Sequence, residues 1–401
     1  RIEERNDTIM AKVIKVGLDI GNSSVKGSIL SEQNGLLREI LSPSCVNPIS
    51  DARKLSFPDH NTRYIRVTDS ALAHYDEIVA IGNRAMDIPN YQEYDVASTS
   101  YKTDHEITTS QLFGTIAEAA GNESEVIVLL AVSVPIVEAK TYHLVEQYKQ
   151  KLNGDHKVHV FTDKGDYDLT IHIPVVQVLN EGQAGFLGLL DTVDVDFQKT
   201  MNTVYRLLGE KENMIPTLED FLVVDIGEKT TDLAEFRGKK FNVDYSYSVT
   251  KGYGTILELS IANAEREGLT IESRKQLQKL MSSSNPRWAK QRELWSRFVD
   301  VERQNYVDEV ANTILKTYGR QSYLDAIIFL GGGFSALTGY GLSDYGQIQM
   351  TDSHLFDQTN KLLEKNHKTA GMIFGVPVPY AQSINSRGLM QVLSNLTYKR
   401  K

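Results

Sequence analysis

Two short segments of the sequence combine a carboxylate at the end of an apolar strand with a glycine-bearing turn and small hydroxyl residues. Glycine lets the backbone approach a phosphate closely, successive N–H groups of such a turn form an anion-binding concavity, and hydroxyl groups add donors. The segments begin at Asp19 and Asp225, and we expect each to form one side of a site for a phosphate-bearing ligand. The candidate residues are Gly21, Asn22, Ser23, Ser24 and Lys26 in the first segment and Gly227, Glu228, Lys229, Thr230 and Thr231 in the second.

A carboxylate beside a phosphate is repulsive unless a cation lies between them. Asp19 and Asp225, facing each other, would suit Mg²⁺ held largely through its waters. Lys26 would add a positive charge near a β-phosphate. Each turn alone is also typical of an ordinary β-hairpin, so the inference rests on finding both.

A third glycine-rich element, residues 331–333, directly follows an apolar strand and precedes Phe334. Three glycines between a strand and a helix leave room for a flat ring or a phosphate to approach the backbone. A plain tight turn is the alternative for this element taken alone.

The elements that carry these turns occur twice. Each half begins with a strand, an acidic turn and an antiparallel strand, and a third strand completes a meander. This internal repeat predicts two related α/β domains with a ligand cleft between them. The first unit comprises strands 13–20, 24–30 and 36–41, and the second comprises strands 220–226 and 230–236 with a hairpin strand after Lys239.

Further elements follow from hydrophobic periodicity and from turn residues. A polar stretch at 191–219 is the candidate domain junction, and two short strands are expected around Gly165. The predicted strands are 126–134, 174–179 and 325–330, and the predicted helices are 107–120, 138–151, one that opens near Glu181, 254–266, 271–282, 288–317, 353–367 and 379–395.

Composition excludes several classes of protein. A chain of 401 residues with a net charge of -9 favours two or more domains and argues against a broad nucleic-acid surface. The longest apolar run, 126–137, is shorter than the ~20 residues that span a bilayer. The single cysteine, Cys45, suits a reducing compartment. We therefore expect a cytoplasmic protein without a membrane partner or a transition-metal site. Residues 1–12 are expected to form a polar N-terminal arm.

The segments DIGNSSVK, DIGEKTTD and LGGGFSAL, in this order, resemble the two phosphate motifs and the adenosine motif of the actin-like ATPase superfamily. Among its members the chain is most similar to bacterial plasmid-segregation proteins of the ParM (StbA) type. The segments VVQVLNEGQAGFLG and INSRGLMQVL resemble the family's interdomain connection and C-terminal helix. The resemblance spans roughly 13–396.

This resemblance implies an actin-like (ribonuclease H-like) α/β fold with duplicated domains around a nucleotide cleft. The first domain would be 13–181, with a variable subdomain at 42–105 and completion by the helix 379–396, and the second would be 182–378. Asp19 and Asp225 would organise Mg²⁺ and water, and Glu181 would place or activate the attacking water, a role that suits a carboxylate. The segment expected at the adenosine is Gly331, Gly332, Gly333 and Phe334.

The function implied is an ATPase that forms filaments and moves plasmid copies apart through polymerisation and hydrolysis-driven disassembly. Its cofactors would be ATP, with GTP as the alternative, and Mg²⁺. Its partners would be further copies of itself and a DNA-binding adaptor on centromere-like DNA, with no direct nucleic-acid contact.

Three alternatives remain open at this point. One is a non-polymerising kinase or ATPase of the same superfamily, and another is a binding protein that has lost hydrolysis. The third is a dinucleotide-binding oxidoreductase, because the segment 331–336 fits GxGxxA and Asp352 follows about twenty residues later. The helix that such a fold needs is poorly supported at 338–346.

Two sets of mainly aromatic side chains could belong either to the protein core or to a contact between subunits. The helix bearing Trp288, Leu294, Trp295 and Phe298 is expected to bury these side chains, because aromatics at helical spacing are usually core. In the variable subdomain we expect either a small core or a contact surface, formed by Tyr64, Tyr75, Tyr91, Tyr94 and Tyr101.

Overall fold

The computed structural model describes residues 11–33, 35–72, 77–93, 101–141, 143–394 and 396. The predictions for Tyr75 and Tyr94 fall outside these residues. The polar arm was predicted to extend to residue 12, but Lys12 already begins the first strand.

The first half of the chain forms one sheet with helices on both of its faces. Its long central strand, Glu125–Val134, is buried on both faces, which explains the continuous apolar run of this segment. The strands are β1 (Lys12–Ile20), β2 (Ser24–Ser31), β3 (Leu37–Pro43), β4 (Cys45–Ile49), β5 (Tyr64–Asp69), β6 (Ile78–Ile81), β7 (Gln92–Glu93), β8 (Glu125–Val134), β9 (Gly154–Thr162) and β10 (Gly165–Asn180), and the helices are α1 (Gly82–Met86), α2 (Glu106–Ala120), α3 (Ile136–Ala139), α4 (Leu144–Leu152) and α5 (Glu181–Leu189).

The second half forms a smaller sheet that is also covered by helices. Its first strand is buried along its whole length. The strands are β11 (Phe221–Ile226), β12 (Thr231–Arg237), β13 (Lys240–Val249), β14 (Tyr323–Leu330), β15 (Gly341–Leu342), β16 (Ile348–Gln349) and β17 (Thr369–Gly375), and the helices are α6 (Val195–Leu207), α7 (Tyr253–Arg266), α8 (Arg274–Ser282), α9 (Ala289–Thr317), α10 (Gly332–Thr338), α11 (His354–Lys365) and α12 (Ile384–Ser394).

The two halves repeat the same strand order. In the first sheet the order β3-β2-β1-β8-β10 starts as an antiparallel meander and continues with parallel strands. The second sheet has the order β13-β12-β11-β14-β17 with the same directions. The first sheet continues beyond β10 through β9, β5, β6, β4 and β7. The repeat predicted from the two acidic turns is therefore present strand by strand.

The extension of the first sheet contains most of the segment 42–105, which was predicted to be a variable subdomain. Tyr64 is buried there in a small core with Cys45 and Phe161, and Tyr91 packs against that core. Tyr101 is exposed. On α9, Trp295 and Phe298 are buried, whereas Leu294 is exposed. Trp288, the residue before this helix, packs against the second core. Most of these aromatic side chains are therefore core residues.

Several predicted elements differ from the observed ones. The predicted helix 138–151 is divided into α3 and α4, and His143 between them has a positive φ. The second of the two short strands expected around Gly165 and the predicted strand 174–179 form one continuous strand, β10. Its register with β8 shifts between His172 and Val175, beside Pro174. The polar stretch 191–219, the candidate domain junction, contains the helix α6, which buries Phe197 in the second core.

Two helices, α5 and α12, lie between the two sheets and pack on each other. Helix α12 packs against β1, β2 and β8, and α5 packs against β11 and β12. Their backbones meet where glycines face each other: a Cβ on Gly388 would lie 1.8 Å from the Ala184 carbonyl oxygen, and one on Gly188 would lie 2.1 Å from the Ile384 carbonyl oxygen. We therefore propose that α12 completes the first domain and that α5 leads into the second.

Candidate nucleotide-binding cleft

The two acidic turns have the same backbone geometry. The Gly21 N–H donates to the Ser24 carbonyl at 3.0 Å, and the Gly227 N–H donates to the Thr230 carbonyl at 2.9 Å. In each hairpin the carboxylate-bearing residue pairs with a residue on the next strand. That partner is Lys26 for Asp19 but Asp232 for Asp225. The two turns therefore have the same backbone hydrogen bond, but the residue paired with the aspartate is a lysine in the first hairpin and a second aspartate in the other.

Asp19 is buried and surrounded by donors and cations. Its Oδ1 accepts a hydrogen bond from Ser133 Oγ at 2.7 Å, and its Oδ2 lies 3.5 Å from Lys26 Nζ. Lys102 Nζ lies 3.6 Å from Oδ1. Burial alone would raise the pKa of Asp19, but Lys26, Lys102 and the Ser133 hydroxyl outweigh it and lower the pKa below the ordinary value. Asp19 is therefore ionised at neutral pH.

Asp225 is equally buried, but the Lys26 ammonium lowers its pKa less than burial and the neighbouring carboxylates raise it. Asn385 Nδ2, on α12, donates to its Oδ2 at 2.7 Å. Burial raises the pKa of Asp225 to about 7, and the neighbouring Glu181 carboxylate adds to the rise. Asp232 accepts hydrogen bonds from the Ile136 N–H and from Ser248 Oγ, each at 2.8 Å. Burial, with Glu181 next, also raises the pKa of Asp232 well above the ordinary value.

Glu181 lies at the junction of β10 and α5, where the two halves meet. It is the first residue of α5, and the side chain of the preceding Asn180 caps this helix by accepting from the Gln183 N–H at 2.8 Å. Glu181 Oε1 lies 3.0 Å from Lys102 Nζ. The structure therefore brings Asp19, Asp225 and Glu181 into one cluster of charges.

The side chains of the second turn do not all face the cleft. Thr231 donates its hydroxyl proton to the Lys251 carbonyl at 2.9 Å and accepts from Tyr306 Oη at 2.5 Å. Because both interactions are inside the protein, the predicted phosphate contact from the Thr231 side chain is wrong. Glu228 lies 3.1 Å from Arg274. The Thr230 hydroxyl and the backbone N–H groups of this turn other than that of Gly227 remain the candidate donors.

The glycine triplet packs on the second turn and does not form an open platform. Gly331 has a φ of +100°, and a Cβ there would lie 2.3 Å from Asp225 Oδ1. A Cβ on Gly333 would lie 2.5 Å from the Gly227 carbonyl oxygen. Gly332 is half-buried, and a Cβ there would lie 3.4 Å from Gln382 Cγ. The Gln382 amide in turn donates to Ser24 Oγ at 3.4 Å.

Phe334 was predicted to contact the nucleotide, and this prediction is wrong. The ring is fully buried in an aromatic cluster, stacked on Phe329 at a centroid distance of 5.7 Å and packed against Tyr340 and Phe356. Its position after three glycines suggested exposure, but α10 turns the side chain into the second core.

The structure also argues against the dinucleotide-binding alternative. Helix α10 spans only Gly332–Thr338 and is followed by the short strand β15, so the required helical crossover is missing. Asp352 lies 3.1 Å from Arg303. Its carboxylate is thus engaged with α9, away from the glycine turn.

Sequence reasoning missed four residues of this cluster. Lys102 and Glu138 lie in or beside segments without a motif, and Ser133 lies within the otherwise apolar strand β8. Asn385 is in a segment that resembled the family's C-terminal helix, but no role was assigned to it. Their shared signal is a polar residue within an apolar context, which a single sequence does not distinguish from a surface position.

The donor set of the cleft fits Mg²⁺ held through water. Asp225 and Asp232 are buried carboxylates with raised pKa values, so added positive charge would stabilise their ionised forms. Within the described ranges, no group of three or more acidic, histidine or cysteine side chains could hold a metal ion by itself. Phosphate oxygens and waters would therefore complete the coordination, as Mg²⁺ commonly requires.

A duplicated five-strand order, with paired turns meeting at α5 and α12, defines an actin-like α/β protein. Residues 17–183 match the family model for the N-terminal domain of actin-like proteins, and residues 223–339 match that for the C-terminal domain of archaeal MreB-like actin homologues. Together the models match more than half of the chain, which belongs to the actin-like proteins. A search of curated protein sequences gives no match.

Solved structures of actin-like proteins have the same fold over nearly the whole chain. ParM of Bacillus thuringiensis with AMPPNP is 18% identical, with a TM-score of 0.59, and covers 96% of this chain and 99% of its own. The actin-like protein Alp7A is 16% identical, with a TM-score of 0.61 and 96% coverage of each chain. The archaeal actin homologue Ta0583 is 15% identical, with a TM-score of 0.60, and covers 96% of this chain and 100% of its own.

No helix in the described part of the chain is long and apolar enough to cross a membrane.

Proposed function

We propose that this protein binds Mg-ATP between its two halves, hydrolyses it and couples hydrolysis to the assembly of a filament. The observation that carries the proposal is the convergence of the two matching turns, through Asp19 and Asp225, on Glu181. Solved ParM structures with ATP, ADP and AMPPNP support the choice of nucleotide. GTP is the alternative nucleotide.

The residues divide the chemistry between them. The N–H groups of both turns, with Ser23, Thr230 and Lys26, would hold the phosphates. Asp19 and Asp225 would orient the water ligands of Mg²⁺, which neutralises charge on the phosphates when bound. Glu181 would accept a proton from the attacking water in line with the terminal phosphate.

We propose that assembly of the filament is controlled by the nucleotide in the cleft between the two halves. A nucleotide that contacts both turns would fix the relation of the two sheets, and loss of the terminal phosphate would release it. A head-to-tail contact that does not close builds a filament. By likeness to ParM, we propose that the task is plasmid segregation in the cytoplasm, with a DNA-binding adaptor at the filament end. The net charge of -9 favours such an adaptor over direct DNA contact.

Pelleting and electron microscopy with Mg-ATP, Mg-ADP and Mg-GTP test polymerisation, while phosphate release is measured in parallel. We expect filaments that form with Mg-ATP and disassemble as phosphate appears. Turnover without polymer at any protein concentration would refute the filament and favour a non-polymerising ATPase or kinase.

The variant Glu181→Gln tests the water-positioning role. We expect it to bind ATP within about threefold of the wild type, to lower kcat by about 10²-fold or more, and to form filaments that persist. The matched control is Glu364→Gln, which changes an exposed glutamate of α11. Unchanged turnover in the Glu181 variant would show that another group handles the water.

A further inference from the structure

Lys102 is a buried cation whose partners are two of the carboxylates placed at the reaction centre. Its side chain is only 7% exposed, and its Nζ lies 3.0 Å from Glu181 Oε1 and 3.6 Å from Asp19 Oδ1. Neither the motifs nor the resemblance assigned it a role. A buried ammonium group is costly unless it is paired, so its location beside these two groups requires an explanation.

The backbone around Lys102 is held in place by a second buried charge. Glu138 accepts hydrogen bonds from the N–H groups of Lys102, at 2.7 Å, and Thr103, at 3.2 Å. Burial raises the pKa of Glu138, and these hydrogen bonds and the Lys102 ammonium oppose the rise. Glu138 is thus used to fix the short 3-10 turn Lys102–Asp104 over the cleft.

The same support reaches the second half of the molecule. Glu138 lies on α3, and the N–H of Ile136 at the start of this helix donates to Asp232 on β12. Asp232 pairs in register with Asp225. Lys102 is therefore connected through α3 to the second acidic hairpin and is not held only by its own half.

We propose that Lys102 binds the terminal phosphate of the nucleoside triphosphate and makes the cleft distinguish a triphosphate from a diphosphate. This inference rests on the proposed ATPase function. With the triphosphate bound, the ammonium group exchanges its ion pair with Glu181 for a phosphate oxygen, and Glu181 becomes able to accept a proton.

The bond changes of the hydrolysis balance without a further reactant. The oxygen of water forms a bond to the terminal phosphorus as the bond from that phosphorus to the bridging oxygen breaks. The proton of the water goes to Glu181, and the diphosphate leaves with the electron pair of the broken bond. Lys102 stabilises the charge on the phosphoryl oxygens.

The test compares Lys102→Met, Lys102→Arg and the wild type, with kcat, KM and separate Kd values for ATP and ADP. In Lys102→Met we expect kcat to fall about 10²-fold and the Kd for ATP to rise about tenfold, with the Kd for ADP within about threefold. Lys102→Arg should restore part of the loss. The control is Lys151→Met, because Lys151 pairs with Asp104 of the same turn and its side chain is 42% exposed.

If Lys102→Met does not fold, Glu138→Gln replaces it, because this variant retains the lysine and loosens only its support. We expect a lower kcat and a weakened preference for ATP over ADP. Equal weakening of both nucleotides, or an unchanged kcat, would overturn the role of Lys102 while wild-type turnover upholds the ATPase. A wild-type protein that does not hydrolyse ATP refutes the proposed function and this inference together.

Discussion

Replacing Asp225 by asparagine tests whether the nucleotide-free cleft contains an unfavourable buried charge. Asp225 is fully buried and close to two other carboxylates, and its pKa is raised from 3.8 to about 7. Asparagine has the same shape, and its carbonyl oxygen can accept the hydrogen bond from Asn385 that Asp225 accepts now. The substitution therefore removes a charge and leaves the packing unchanged.

The sign follows from which state holds the proton more tightly. The folded state retains the Asp225 proton up to about pH 7, whereas the unfolded state releases it near pH 3.8, so the free energy of unfolding falls as pH rises through this interval. A pKa difference of about 3 corresponds to about 4 kcal/mol, which is an upper bound for a group coupled to its neighbours. We expect Asp225→Asn to be more stable than the wild type by ~2–4 kcal/mol at about pH 8.

Denaturant unfolding without nucleotide, at about pH 4.5 and about pH 8, measures the difference. The variant should match the wild type closely in acid and exceed it in base, and it should lose the stabilisation that Mg-ATP gives the wild type. Asp244→Asn, at an exposed site of β13, is the control. Parallel pH dependences for wild type and variant, or a variant destabilised at high pH, would contradict the reasoning.

Two further variants test the packing around the cleft. Gly388→Ala places a methyl group against the Ala184 carbonyl, and we expect the free energy of unfolding, measured in denaturant, to fall by about 3 kcal/mol or more. Gly341→Ala is the control and should cost under about 1 kcal/mol, because a Cβ there would lie at an ordinary contact distance of 4.0 Å from the Gly339 carbonyl oxygen. Phe334→Ala should lower the free energy of unfolding by about 3–5 kcal/mol and leave the ATP Kd of the folded protein within about threefold of the wild-type value. A Kd that rises about tenfold would show that Phe334 contacts the nucleotide after all. The control is Leu294→Ala, at an exposed position.

The strands and turns were predictable because their signals are local. The apolar runs of β1, β8, β11 and β14, and the glycine turns after Asp19 and Asp225, depend on nearest neighbours and on strand period. The beginning of α5 at Glu181 was also predicted. Strand β17 was missed, since its side chains alternate little and one face is only half-buried.

The site was predictable only as far as its backbone. Both acidic turns and Glu181 come together. The sequence could not show that the Thr231 hydroxyl points into the protein or that Phe334 is a core residue. Lys102 and Asn385 reach the cleft from segments far apart in sequence. Their roles depend on tertiary packing, to which local periodicity is insensitive.

The glycine contact between α5 and α12 has a mechanical consequence. Since backbone meets backbone there, side-chain rearrangement cannot absorb a sliding movement, and we expect any relative movement of the halves to be a rotation about this contact. Glu181 and Asn385 lie near the starts of these two helices. A small rotation would displace these groups little, and it would carry the outer strands of the first sheet, β4 and β7, through a much larger arc.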